Sequence, residues 1–267
     1  METRQPIRKT LLALSGVIAL LPTPADGKTT PPKQSQAYLT AGPPTRAKPW
    51  VPGWGFYPRA PQTWLRYQRH LSRHRPTPLV FFGDSLMLEW ADKGRGRDVW
   101  HARYAPLGAA NAGIGGDTTR QALWRIEHGE LDRLQPRLVV LMIGTDDLND
   151  PLSDGTDAEV SRGIAAVVHA LRRRLPNARI LLLGLLPRQE TSFCRRVAAI
   201  DRPLAALADG KTVRYLDLSP RFLTAPGRIN RTLYTSDQLH LTPTGYLTWA
   251  DAMQPVFSAM RTTSLRP

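Results

Sequence analysis

From about residue 77 onward, short continuous apolar runs alternate with segments of helical period, and this alternation is the strongest constraint on the fold. Residues 79–83, 138–144, 180–186 and 213–218 are such runs, and 108–111 is a shorter, weaker one. A strand that is apolar throughout must be covered on both faces, which is the habit of parallel sheets. Between the runs, residues 157–174 place Val160, Ile164, Val167 and Leu171 on one helical face. Helices are also expected from Ser85, over 117–127, and in part over 193–208, where Pro203 should kink or split the segment. Thr242-Pro243 is a cap followed by a first-turn proline; Tyr246, Ala250, Met253 and Phe257 line that helix, with Pro255 expected to disturb its last turns. The order predicts an α/β domain built on five parallel strands with helices on both faces.

In an open sheet of this kind, ligands bind beyond the carboxyl ends of the strands. Gly83-Asp84-Ser85 ends the first run, residues 113–117 follow the second, and Gly144-Thr145-Asp146 ends the third. Ser85 stands at a strand-to-helix turn, where free N–H groups favour developing negative charge. A serine hydroxyl is a weak nucleophile until a base takes its proton. His240 is the expected base, and Asp237 can fold back across a turn to orient the imidazole. Each piece alone also has a structural reading, because Asp-Ser caps helices and Asp-x-x-His recurs by chance. His70, His74, His101, His128 and His169 lack a comparable carboxylate and strand-end setting. No histidine pair has metal-ligand spacing, so no metal is expected. Cys194 is the only cysteine, which excludes an intramolecular disulfide, and nothing beside it in sequence marks it as activated.

Four blocks in this order resemble the SGNH (GDSL) hydrolase superfamily, and within it the catalytic subunits of the platelet-activating-factor acetylhydrolase group. They are Gly83-Asp84-Ser85-Leu86, the stretch NAGIGGDTT at 111–119, Gly144-Thr145-Asp146-Asp147, and Asp237-x-x-His240. Leu123-Trp124-Arg125, Gly129-Glu130-Leu131 and residues 183–188 support the resemblance, which covers about residues 77–260. It implies a flavodoxin-like three-layer α/β/α sandwich and a hydrolase without a cofactor. It implies Ser85 as nucleophile, His240 as base and then acid, Asp237 as its orienter, and the N–H groups of Ser85 and Gly116 as oxyanion donors. Asp146 stands where the family has an asparagine that supplies a third donor. An ionised aspartate about 3 Å from the oxyanion repels it by roughly 5 kcal/mol at an effective dielectric near 20. Loss of one donor alone raises the barrier by about 2.7–4 kcal/mol. Asp146 could carry a proton and donate through it, turn away, or yield its place to Asn149. The bland reading is a loop residue in a domain that no longer catalyses.

The expected protein is an exported serine esterase that removes short acyl groups, with acetyl implied by the resemblance, from a small ester such as an acetylated glycan or lipid. A longer-chain lipase, lysophospholipase or thioesterase would use the same residues. A non-catalytic binding module would keep the fold without turnover. Arg4, Arg8 and Lys9 precede the apolar run 11–21 and Pro22-Thr23-Pro24-Ala25, so residues 1–25 read as a signal peptide, with an uncleaved anchor or a tail as the alternatives. The run is short for a bilayer span, and the destination expected is a bacterial periplasm or the medium. Residues 26–62 read as a Pro-rich linker or packed arm, whose Trp50, Trp54, Phe56 and Tyr57 either pack on the domain or form a lip on its cleft. Residues 63–262 are the expected hydrolase domain. The formal net charge of +14 favours anionic surroundings. The basic residues are scattered, Arg172-Arg173-Arg174 being the densest run, and no nucleic-acid-binding motif is present, so no nucleic acid partner is expected.

Overall fold

The computed structural model describes residues 77–149, 155–189 and 191–262. The expected signal peptide, the aromatic arm, residues 63–76 of the expected domain, and with them His70 and His74, lie outside the described residues. Strands β1 (Leu79–Gly83), β2 (Ala109–Gly113), β3 (Leu138–Met142), β4 (Arg179–Leu183) and β5 (Val213–Leu216) form one parallel sheet in the order β2-β1-β3-β4-β5. Every residue of β1 to β4 is buried, as strands covered on both faces must be. Gly83 pairs with both Gly113 and Met142, so the carboxyl ends of the three central-to-edge strands β2, β1 and β3 lie side by side. The fold is the expected α/β sandwich on five parallel strands.

The helices are α1 (Ser85–Leu88), α2 (Arg97–Arg103), α3 (Thr119–Glu127), α4 (Asp157–Arg174), α5 (Thr191–Leu204), α6 (Ser219–Phe222) and α7 (Pro243–Thr262). Thr156 and Glu159 form a reciprocal capping box that starts α4, and three arginines in its last turn complement the helix dipole. Pro203 falls in the last turn of α5, which ends at Leu204 and tightens into a 3-10 turn, Ala205–Leu207. Pro255 does not disturb α7, contrary to expectation. It lies on the exposed side, as does Asp251 one turn earlier, whose carbonyl loses its helical donor to the proline, while Met253, Phe257 and Met260 hold the other side in the core.

The stretch 89–107 carried no periodic signal, yet it supplies much of the core. Trp90 and Tyr104 are fully buried and meet edge to face at 5.4 Å. Trp90 also packs on Tyr246 and Trp249 of α7, at 4.7 and 5.2 Å between ring centroids. These rings tie the chain after α1 to the helix that follows His240. A short hairpin, β6 (Leu223–Ala225) and β7 (Arg228–Ile229), was likewise unmarked in the sequence.

One buried carboxyl makes its own contribution to the pH response of the fold. Asp201 on α5 accepts from the Leu185 N–H at 3.0 Å through one oxygen, while its other oxygen is buried without a partner. Burial pushes this carboxyl up to about 8, with the Leu185 bond opposing the shift. The folded state therefore keeps a proton that the unfolded chain loses near its ordinary value of 3.8. Such a group favours folding at low pH, and its contribution declines as pH rises from about 4 to about 8. Urea unfolding of Asp201→Asn is expected to lack this decline. Between pH 5 and 7.5 the variant should gain about 3 kcal/mol relative to the parent, from roughly 1.4 kcal/mol per pH unit. Parallel stability curves would refute the assignment.

Candidate active site

The turn after β1 begins with Asp84, whose side chain accepts from the Leu86 N–H at 3.0 Å and caps α1. Ser85 is the first residue of α1. The helix turns back over β2 so tightly that a Cβ on Gly113 would stand 2.1 Å from the Leu88 nitrogen; no side chain fits there. Buried Asn111 fixes this approach by donating to the Met87 and Leu88 carbonyls at 2.8 and 3.1 Å and accepting from the Gly113 N–H at 2.9 Å.

The loop after β2 runs beside the serine. A Cβ on Gly115 would lie 3.8 Å from that of Ser85. Gly116 follows with φ of 80°, a left-handed conformation that costs glycine little. Asp147 holds the next segment, accepting from the Thr119 N–H at 2.8 Å and its hydroxyl at 2.6 Å. Beneath, buried Arg125 grips three pieces at once. It pairs with Asp117 and with Glu130, the latter through two bonds at 2.5 and 2.6 Å, and donates to the Ala112 carbonyl at 2.5 Å. Burial pushes the Asp117 carboxyl up to about 7, and the Arg125 charge opposes that rise.

His240 arrives from the far end of the chain. Gln238, at φ of 56°, folds the loop back so that Asp237 reaches the imidazole. Asp237 accepts from the N–H groups of Leu239 and His240 and from the Thr235 hydroxyl through one oxygen, and faces His240 Nδ1 at 2.7 Å through the other. Partial burial works to raise this carboxyl, but the His240 bond and the other donors outweigh it and hold it well below the usual carboxylate range. An ionised Asp237 can only accept, so Nδ1 carries the proton and Nε2 is left to accept. His240 Nε2 lies 3.1 Å from Ser85 Oγ. The structure thus brings together Ser85, Asp237 and His240, with the 115–116 turn alongside. A serine so placed can pass its proton to the imidazole as it attacks a carbonyl carbon.

Asp146, half-buried, opens a 3-10 turn, Asp146–Leu148, just beyond β3. Asn149 is exposed and its side-chain oxygen accepts from Arg188 Nη2 at 3.1 Å, so it is engaged elsewhere. The sequence alone assigns no role to two charged residues: Glu89, and Arg188, which enters only as the end of the supporting stretch 183–188. Arg188 is fully buried, stacks its guanidinium 4.6 Å above Phe193, and leaves Nε and Nη1 without hydrogen bonds. Burial lowers its pKa, and the charges of Asp146 and Asp84 raise it. Glu89 Oε1 lies 3.8 Å from His240 Nε2. Its place one helical turn after Ser85 was the available signal. Burial raises the Glu89 carboxyl, with His240 and Arg95 opposing. Among the described residues, no cluster of His, Cys, Asp or Glu is arranged to hold a metal ion.

Residues 81–247 match the GDSL-like Lipase/Acylhydrolase family. Over 201 residues the chain is 36% identical to platelet-activating factor acetylhydrolase IB subunit alpha1 of Bos taurus, covering 73% of this chain and 78% of that one. It is 36% identical over 172 residues to subunit alpha2 of Rattus norvegicus, covering 63% and 70%. Among solved structures, a GDSL-like lipase from Bacteroides thetaiotaomicron superposes with a TM-score of 0.60 at 18% identity, over 72% of this chain and 97% of that chain. An acetylxylan esterase from Geobacillus stearothermophilus superposes with a TM-score of 0.53 at 19% identity, over 70% and 94%. Those two likenesses concern the fold.

Proposed function

Because this chain belongs to the GDSL-like lipase/acylhydrolase family and is an ester hydrolase, we propose that it cleaves short-chain esters, acetyl esters foremost, through Ser85, His240 and Asp237. The observation that carries this reading is the hydrogen-bonded line from Asp237 through His240 to Ser85. Ser85 Oγ attacks the ester carbonyl and forms a C–O bond while His240 Nε2 takes the hydroxyl proton. The N–H groups of Ser85 and Gly116 face the resulting oxyanion. Collapse breaks the bond to the alcohol, and His240 returns the proton to the leaving alkoxide. Water, activated by the same imidazole, then releases the acid and restores Ser85. The acetyl preference is supported by the acetylhydrolases to which the chain is 36% identical. Action outside the cytoplasm is supported by the leader pattern of residues 1–25.

Hydrolysis of p-nitrophenyl acetate, butyrate and octanoate tests the acyl preference. The acetate should be fastest, with kcat/KM falling as the chain lengthens. A rise toward octanoate would replace this reading with a lipase, because each buried methylene contributes about 0.8 kcal/mol.

In this reading Asp146 serves Arg188 rather than the oxyanion. A buried guanidinium needs a carboxylate. Two charges raise the Arg188 pKa, that of Asp146 more than that of Asp84, and burial pushes the Asp84 carboxyl well above the usual carboxylate range. Asp146 is thus the larger of the two counter-charges of Arg188, and the enzyme works with two backbone donors. Asp146→Asn should restore a neutral donor and raise kcat by about 10²-fold, the worth of one oxyanion donor, while lowering Tm because Arg188 loses its larger counter-charge. An unchanged kcat would end this account of position 146.

A further inference from the structure

A cavity of about 1010 Å³ opens beside the loop that carries His240, lined by Gln189, Ser192, Arg195, Arg228, Ile229 and Arg231 among others. The Gln189 N–H donates to the Gln238 carbonyl at 3.0 Å, two residues before His240, and Arg231 leads into the same loop. Arg195, Arg228 and Arg231 are exposed, and none makes an ion pair among the described residues. Arg103, Arg172, Arg174 and Arg196 each meet an aspartate at 2.6–3.1 Å, whereas Arg133, Arg173, Arg202 and Arg221 are exposed with no ion pair among the described residues; what distinguishes Arg195, Arg228 and Arg231 is that all three line one cavity. The described residues that line the cavity carry three guanidiniums and no carboxylate, and Glu190, which falls in sequence between the lining residues Gln189 and Thr191, lies outside the described residues. Three guanidiniums around one space repel each other, and an anion between them removes that cost. Their planar forks match carboxylate and phosphate oxygens.

We propose that this cavity binds the anionic group on the alcohol half of the substrate, an acylated acidic oligosaccharide. The inference rests on the esterase reading of Ser85. A soluble polyanion is favoured over a lipid surface because the cavity is polar apart from Ile229, and Leu247 is the only large exposed apolar side chain among the described residues. Membrane docking requires apolar side chains to insert, and this surface offers charge instead.

The test uses the full chain with Ser85→Ala, titrated calorimetrically with trigalacturonate, with neutral maltotriose, and with phosphatidylglycerol vesicles. Trigalacturonate should bind and maltotriose should not. Each of Arg195→Gln, Arg228→Gln and Arg231→Gln should weaken binding roughly three- to tenfold, and the triple variant roughly 10²-fold. With Ser85 intact, the triple variant should hydrolyse neutral p-nitrophenyl acetate at the parental rate but lose about as much kcat/KM on acetylated trigalacturonate as it loses in affinity. Equal binding of maltotriose, undiminished binding by the triple variant, or binding to vesicles alone would overturn the proposal. Arginine-dependent trigalacturonate binding without Ser85-dependent turnover of any ester would uphold the anion site and sink the esterase reading instead.

Discussion

Ser85→Ala is expected to lower kcat for p-nitrophenyl acetate by about 10⁴–10⁶-fold, the loss seen when a nucleophile that acts as a unit with its base is removed. The reasoning is geometric. Ser85 Oγ meets His240 Nε2 at 3.1 Å, and His240 Nδ1 meets Asp237 at 2.7 Å. Without the hydroxyl, the imidazole has no proton to take and no acyl-enzyme can form. The side chain is half-buried at the mouth of the turn, so its truncation should leave the thermal transition where it was. His240→Ala should match the loss, and the double variant should be little worse than either single one, because both residues serve one step. Steady-state kinetics on the three variants, with unfolding curves alongside, check this. Additive losses would mean that the two residues act separately, and a parental rate in Ser85→Ala would leave the domain as a binding module or place the nucleophile elsewhere.

Arg125→Met should destabilise the fold by about 3–5 kcal/mol, because it strands two buried carboxylates. Arg125 is fully buried and bonded to Asp117, Glu130 and the Ala112 carbonyl, with its guanidinium 4.4 Å above the Phe82 ring. For a domain of this size that is a fall in Tm of roughly 6–20 °C. The penalty comes from the unpaired charges rather than from the lost pair itself. Arg125→Met combined with Asp117→Asn and Glu130→Gln should therefore recover much of the stability. Calorimetry of the single and triple variants decides it. A single variant within a degree or two of the parent would show that Asp117 and Glu130 protonate or find water without cost. The same residue ties the end of β2 to the loop bearing Gly116, so the single variant should also lose activity below its melting transition.

Much of the fold was legible because buried parallel strands advertise themselves. The runs Leu-Val-Phe-Phe-Gly and Leu-Val-Val-Leu-Met admit few alternatives, and the face formed by Val160, Ile164, Val167 and Leu171 marks α4. The weak second strand, expected at 108–111, lies at Ala109–Gly113; its small residues make room for the turn that carries Ser85. The stretch 89–107 was illegible because its aromatic residues pack against α7, more than a hundred residues away, and not along a local helical face. The burial of Glu89 and Arg188 was illegible for a related reason. A lone charged residue in sequence reads as solvated, and only burial reveals that it must be compensated.

The sequence by itself determined the chemistry on offer, since the spacing of Gly83-Asp84-Ser85 and Asp237-x-x-His240 places a hydroxyl at a strand end and a carboxylate beside an imidazole. Whether that hydroxyl and that imidazole meet is a tertiary matter. Ser85 and His240 are 155 positions apart, and only the order β2-β1-β3-β4-β5, with α7 anchored on Trp90, brings them within a hydrogen bond. The tertiary structure likewise decided the company of Asp146. Local sequence fixes a residue's charge, but the cost of that charge depends on burial and on neighbours that arrive from other strands.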